Sequence, residues 1–294
     1  MRGSLHLAGI RWSIREHSEP FEGPSMTTAT VLGLGEAGRI YAAGLAAAGF
    51  RVLAYDPYTD ARAEGIDQRS TLREALAGSD VVISLVGAAA AEAVAADALE
   101  LAPPSAVYAD FNTASPLAKK AMAAAAQVLG IRFADVAVLA PVPRSGIHTP
   151  LLASGDGAEA AVELFSRRGV PIEPIGAEAG DAAARKLVRS IFMKGLAALV
   201  IETAQVGDIA GVGEWIRKQM AAELGPDGDA MLERLFSGTA AHAPRRRHEV
   251  QDALDYAREV GARSSMTEGT LDWLAWIEAN GLPVGGQEGT NDAP

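Results

Sequence analysis

Two groups of residues carry the chemistry open to this chain. The first is the run Gly33-Leu34-Gly35-Glu36-Ala37-Gly38, whose three glycines have the spacing of a dinucleotide-phosphate cradle. Gly33 allows a tight turn and Gly35 lets the backbone approach a pyrophosphate. Gly38 lets the next helix pack close to a sheet, with its N-terminus facing the phosphate charge. Asp56 follows 18 residues after Gly38, placed to accept hydrogen bonds from a ribose 2′-hydroxyl. A carboxylate there repels a 2′-phosphate, so NAD is the expected cofactor. Arg62, six positions beyond Asp56, keeps NADP open.

The second group is Lys186, Ser190 and Lys194, which recur at i, i+4 and i+8 and so share one helix face. Taking a hydride from an alcohol carbon needs a base for the hydroxyl proton, and the reverse needs an acid. A lysine desolvated in an apolar cleft beside a second ammonium has its pKa lowered toward neutrality and can serve either way. The plain alternative is that both lysines are solvated, the usual place for that residue. His242 and His248 flank Arg245-Arg246-Arg247, a group able to bind an anion or polarise a carbonyl. It reads equally as the basic turn of a solvated helix. No H-x-x-x-H spacing or carboxylate cluster accompanies the histidines, so no metal site is expected.

The elements that must position these groups follow from periodicity. A short apolar strand precedes Gly33, an alanine-rich helix runs from Arg39 to Ala48, and a second strand, Arg51 to Tyr55, ends on Asp56. That is the order of a nucleotide-binding βαβ unit. Val81 to Val86 reads as a buried strand, its last residues Leu85 and Val86 at the cofactor. Val107–Phe111 reads as a strand ending beside Asn112 and Thr113, and Pro116–Val128 as a helix, with Ser115 able to cap it. Ile131–Leu139 and Pro150–Ser154 read as strands pairing antiparallel at one edge, and Val170–Ile175 as a closing strand. After Gly180 the strand signal stops. Helices are expected over Asp181–Gly207, Val212–Leu224, Asp227–Phe236, Arg245–Val260 and Ser265–Asn280, with Gly238 and Ala243-Pro244 as breaks. The fold class is therefore α/β, a Rossmann-type doubly wound parallel sheet followed by an all-helical domain. The expected divisions are a disordered leader over 1–25, the nucleotide domain over 26–178, the helical domain over 179–284 and a flexible tail over 285–294.

Composition narrows the classes. The 294 residues carry 49% apolar and 21% charged side chains and a net charge of −11, which argues against nucleic-acid binding. No cysteine is present, which excludes disulfides and thiolate catalysis and fits a reducing cytoplasm, the expected location. No apolar run reaches membrane-spanning length.

With these motifs in order, the chain resembles the β-hydroxyacid dehydrogenase family, which includes 6-phosphogluconate and 3-hydroxyisobutyrate dehydrogenases, from about Thr30 to Ala279. Asp110-Phe-Asn112-Thr113-Ala-Ser115-Pro116 is similar to the family's D-x-S-T-x-x-P substrate segment, with Asn112 at the serine. Asp135-Val-Ala-Val-Leu139-Ala140-Pro141 falls where the family has D-A-P-V-S-G-G, and Lys186 falls at its catalytic lysine. Pro141-Val-Pro, Thr149-Pro-Leu-Leu and the His242–Glu249 segment resemble a branch with a distinct helical C-terminal domain. His248 takes the place of the lysine near the family's C-terminal K-D pair, and Ser190 that of an asparagine. Leu139-Ala140-Pro141 lacks the donors of S-G-G, so a substrate is expected to be neutral or apolar there.

The resemblance implies an NAD(P)-dependent dehydrogenase acting on a small hydroxyl compound in an interdomain cleft. Its catalytic residues would be Lys186 as general acid/base, Ser190 holding the hydroxyl, and His248. Asn112, Thr113, Leu139, Ala140, Lys194 and His242 would contact substrate, and Asn112 also the nicotinamide ribose. Gly33, Leu34, Gly35, Glu36, Ala37, Gly38, Asp56, Leu85 and Val86 would hold the cofactor. A homodimer through the helical domain is expected. An oxidation-assisted lyase and a non-catalytic nucleotide-binding dimer are the alternatives.

Overall fold

The β-branched and small apolar runs of the first half form strands because both of their faces are covered. In the computed structural model, residues 26–60 and 65–283 are described; Arg62 and the expected leader and tail (1–25, 285–294) lie outside them. The elements are β1 (Thr28–Leu32), α1 (Glu36–Ala47), β2 (Arg51–Tyr55), β3 (Ile66–Gln68), α2 (Leu72–Leu76), β4 (Val81–Ser84), α3 (Ala88–Leu99), β5 (Val107–Asp110), α4 (Pro116–Val128), β6 (Arg132–Val138), α5 (Val142–Ser145), β7 (Leu151–Ser154), α6 (Ala158–Ser166) and β8 (Ile172–Gly176). The helical half comprises α7 (Asp181–Ile209), α8 (Gly213–Glu223), α9 (Gly228–Glu259) and α10 (Ser265–Asn280).

The eight strands lie in the order β3-β2-β1-β4-β5-β6-β7-β8. All pair parallel except β6 with β7, the antiparallel pair expected from the sequence; it lies one strand inside the edge, which β8 forms by pairing parallel to β7. Alternate strand residues feed two cores, one per face. Val31, Ile83 and Ala109 enter one cluster with α1 and α6, while Leu32, Val82 and Tyr108 enter the other with α3 and α4. Strand order reverses between β1 and β4, which opens a crevice at their carboxyl ends, where sheets of this type bind ligands.

Some elements escaped the sequence reading. β3 is three residues with no apolar run, and it forms because its backbone pairs with β2. α6 escaped although its Ala158, Ala161 and Phe165 are buried at helical spacing. The expected break at Gly238 does not occur. The one expected at Ala243-Pro244 takes the form of a kink: α9 joins two helical limbs at the non-helical His242 (φ −137°, ψ 26°), two residues before Pro244. Proline removes one N–H, and the chain resumes helical geometry at once because both limbs pack on α7. Among the described residues, no helix is long and apolar enough to cross a membrane.

Candidate active site

The site is anchored by a buried ionic cluster that no spacing in the sequence announces. Lys119 of α4, 1% exposed, places Nζ 2.7 Å from Asp110 Oδ2 and 3.1 Å from Asp135 Oδ1, and donates to the Asp110 carbonyl at 2.9 Å. Two carboxylates against one ammonium leave a net negative charge. The N-terminus of α7 faces it: the N–H groups of Gly180 and Ala183 donate to Asp135 Oδ2 at 3.1 and 3.0 Å. Gly180 has no side chain to cap the helix, so Asp135 on β6 supplies the acceptor from outside. Asp135, the first residue of the family-like segment, thus seats α7 on the sheet.

That seating fixes Lys186. Its Nζ donates to Thr113 Oγ1 at 2.8 Å, where Thr113 ends the β5 segment. Thr113 is free for this because Ser115 Oγ caps α4 by accepting from the Ala118 N–H at 3.1 Å. Burial pulls the Lys186 pKa down to about 8; Lys119 and Lys194 add to the fall, while Glu249 and Asp135 oppose it. Farther along the face, Lys194 Nζ pairs with Glu249 Oε2 at 2.8 Å and reaches Ser190 Oγ at 3.4 Å. Burial pushes the Glu249 carboxyl up, but the charges of Lys194, Arg245 and Lys186 prevail and hold it below the ordinary carboxylate range.

These groups line a cavity of about 370 Å³ between sheet and helices. One wall carries Glu36, Ala37 and Leu85, and another carries Thr113, Leu139, Ala140 and Pro141. The helical wall presents Lys186, Ser190 and Lys194 from α7, with Arg234, Arg245, Arg246 and Glu249 from α9. Leu139 keeps no free donor, because its N–H is bonded to the Pro150 carbonyl at 3.0 Å.

The glycine turn fits a dinucleotide. A Cβ on Gly33 (φ +89°) would stand 2.6 Å from the Leu85 carbonyl oxygen, and one on Gly38 would stand 1.9 Å from that of Gly33. Gly35 has nothing within 4 Å of the same position, so open space lies where a pyrophosphate would approach. No side chain caps α1, which leaves its first N–H groups for an anion. Each oxygen of Asp56 accepts from backbone, Oδ2 from Leu34 N–H at 2.7 Å and Oδ1 from Tyr58 N–H at 2.8 Å. Oδ1 also accepts from the Thr59 N–H at 3.1 Å, so Oδ2 is the oxygen that retains a lone pair for a ribose hydroxyl.

Several expected site residues are placed otherwise. Leu34 is a core side chain whose N–H is committed to Asp56, so it offers nothing to phosphate. Val86 packs behind Gly33 and does not line the cavity. Asn112 spends both amide hydrogens on Ser84 Oγ and Asp110 Oδ1 and accepts from the Gly87 N–H at 2.8 Å. It ties loops together and has no donor left for substrate or ribose. His242 is exposed at the kink, and exposed His248 places Nδ1 2.8 Å from the Pro244 carbonyl of its own helix. Neither histidine lines the cavity; one helical step of about 100° separates His248 from the inward-facing Glu249. Glu249 and Lys119 are the residues the sequence reading missed. The signal for Glu249 was its place beside His248 in the family pattern.

Comparison with known proteins agrees with this architecture. Residues 28–159 match the NAD binding domain of 6-phosphogluconate dehydrogenase, and residues 208–277 match a domain of unknown function, DUF1932. A conserved hypothetical protein from Sinorhizobium meliloti is 31% identical, covering 86% of this chain and 89% of its own, with a TM-score of 0.70. An uncharacterized 28.5 kDa protein from Methanothermus fervidus is 26% identical over 214 residues, 73% of this chain and 82% of its own. A 3-hydroxyisobutyrate dehydrogenase from Mycobacterium tuberculosis, determined with L-serine, shares the fold with a TM-score of 0.75 at 20% identity, covering 88% of this chain and 96% of its own.

Fold and site together define a nucleotide-dependent oxidoreductase with an NAD(P)-binding domain. The chain belongs to the β-hydroxyacid dehydrogenase family, in the branch that joins a 6-phosphogluconate dehydrogenase-type NAD domain to a DUF1932 domain.

Proposed function

We propose that the protein moves a hydride between the hydroxyl-bearing carbon of a small molecule and a nicotinamide, with Lys186 as general acid/base. The observation that carries this reading is the lysine itself. It is half-buried on the cavity wall, held by Thr113 at 2.8 Å, and has its pKa drawn down to about 8. NAD(P) would supply the hydride acceptor, with Gly35 and the N-terminus of α1 the groups that would hold its pyrophosphate and Asp56 the one that would hold its ribose.

Neutral Lys186 accepts the hydroxyl proton as the carbon–hydrogen bond breaks. In the opposite direction the ammonium returns that proton to the carbonyl oxygen. The Thr113 hydroxyl fixes the amine's direction, so the lone pair or proton is presented to one point in the cavity. Ser190 Oγ, which accepts from Lys194, keeps its own proton to donate to the substrate oxygen. Glu249 supplies a countercharge to Lys194, 2.8 Å away, beside Lys186.

We further propose that the active species is a homodimer. Val188, Phe192, Leu199 and Val206, all exposed, recur at steps of four, seven and seven along α7, an apolar stripe suited to a second copy. Light scattering reads the mass directly, and a monomer at micromolar concentration sinks this part.

The functional test is a screen of hydroxy acids and aromatic alcohols, following NADH absorbance with NAD and NADP in parallel, for wild type and Lys186→Ala. Turnover that survives the substitution removes the acid/base assignment.

A further inference from the structure

The cavity wall remote from the glycine turn is formed by the two limbs of α9, and it is strongly cationic. Arg234 comes from the limb before the kink, Arg245 and Arg246 from the limb after it, and Arg189 from the facing α7. The carboxylate at that end, Glu249, is already shared between Lys194 at 2.8 Å and Arg245 at 3.6 Å. Among the described residues, no carboxylate forms an ion pair with Arg189, Arg234 or Arg246. The surplus stands out in a chain of net charge −11, so its field is local to the cavity and draws anions there.

Arg246 is also held in place before any ligand arrives. Its Nη1 donates to Thr239 Oγ1, and that hydroxyl donates to the Leu235 carbonyl at 2.6 Å. Gly238 makes room for it, since a Cβ there would stand 2.6 Å from Arg246 Nη2. Burial, helped by the charge of Arg245, lowers the guanidinium pKa, and Glu249 opposes that fall. A planar guanidinium fixed in this way matches the fork of a carboxylate or phosphate.

We infer that this wall is an anion subsite, and that the substrate carries a carboxylate or phosphate at the end remote from its reacting hydroxyl, bound by Arg246 with Arg234 and Arg245. The subsite stands on the arginine geometry alone, whereas the position of the reacting carbon rests on the proposed hydride transfer. Leu139, Ala140 and Pro141 then offer apolar surface to the part of the substrate between the two ends, and anion recognition has passed from that loop to the kinked helix.

The test titrates inorganic phosphate and malonate into the protein–NADH complex by calorimetry. Wild type is compared with Arg234→Gln, Arg245→Gln and Arg246→Lys. Wild type should show saturable binding that weakens with added salt and falls tenfold or more in the variants, with NADH affinity within twofold. A preference for phosphate identifies a phosphate ester, and a preference for malonate a carboxylate. In parallel assays of substrates ending in carboxylate, phosphate or neutral amide, the variants should raise KM for the anionic ones at unchanged kcat. Exposed Arg234 carries the test if an Arg246 variant does not fold. Absence of saturable binding to wild type overturns the inference, as does binding undiminished in the variants. Loss of NADH affinity in the variants also overturns it, by assigning the arginines to the cofactor pyrophosphate. Anion binding without hydride transfer on any hydroxyl substrate removes the dehydrogenase reading and leaves the subsite standing.

Discussion

Lys186 on α7 and Thr113 beyond β5 meet at 2.8 Å, a hydrogen bond that joins the helical half to the sheet at the cavity wall. It ties the candidate proton carrier to the same strand end that borders the nucleotide crevice. Replacing Lys186 by methionine keeps the stem and removes the proton. We expect turnover to fall by about two to four orders of magnitude, the usual worth of a positioned acid or base, with NADH affinity nearly unchanged. Steady-state kinetics and fluorescence titration of NADH check both halves.

The pH dependence has a defined sign. Oxidation needs the neutral amine, so kcat/KM should rise with an apparent pKa near 8 and level off above it. The reductive direction should show the mirror limb. Folding carries the same signature, because the lysine pKa is lower in the folded than in the unfolded chain. The unfolded chain therefore binds more protons between about 8 and 10.5, and stability should rise with pH across that window. Denaturant titrations at pH 7.5 and 9.5, on wild type and Lys186→Met, isolate the contribution.

Glu249 holds the Lys186 pKa up, against burial. Glu249→Gln should therefore move the kinetic limb to lower pH, while also freeing Lys194 from its ion pair. A limb that stays in place would show that the two groups are not coupled.

Lys119 serves the site through position. Lys119→Met leaves Asp110 and Asp135 buried without their cation, an arrangement that costs about 3–5 kcal/mol when one partner of a buried pair is removed. Thermal denaturation should register that loss. Hydrogen exchange should show lost protection at the Gly180 and Ala183 amides, which depend on Asp135.

The glycines separate binding from folding. Gly35→Val adds bulk to open space and should leave the melting temperature intact while abolishing NADH binding. Gly38→Ala drives a methyl group into the Gly33 carbonyl and should damage the turn itself. Equal loss of stability in both variants would refute the cradle assignment.

His248 is exposed and bonded to its own helix, so His248→Ala should leave kcat/KM within about twofold, as surface substitutions usually do. A large loss would place that residue in a partner's site.

Local chemistry determined much of this protein from the sequence alone. The glycine spacing, the acid at Asp56 and the i, i+4, i+8 face of Lys186 express short-range geometry, and periodicity is enough to read them. The antiparallel β6–β7 pairing and the helical second half were legible for the same reason. The tertiary structure decided what depends on residues far apart in the chain. Lys119 looks like any helical lysine until β5 and β6 bring Asp110 and Asp135 to it. Asn112 looks like a ligand-binding amide until Ser84 and Gly87 occupy it. The choice of Glu249 over His248 turns on helix phase after the Pro244 kink, which depends on how both limbs of α9 pack against α7. Burial and long-range pairing set the charge of this site, and neither is written in the spacing of any one segment.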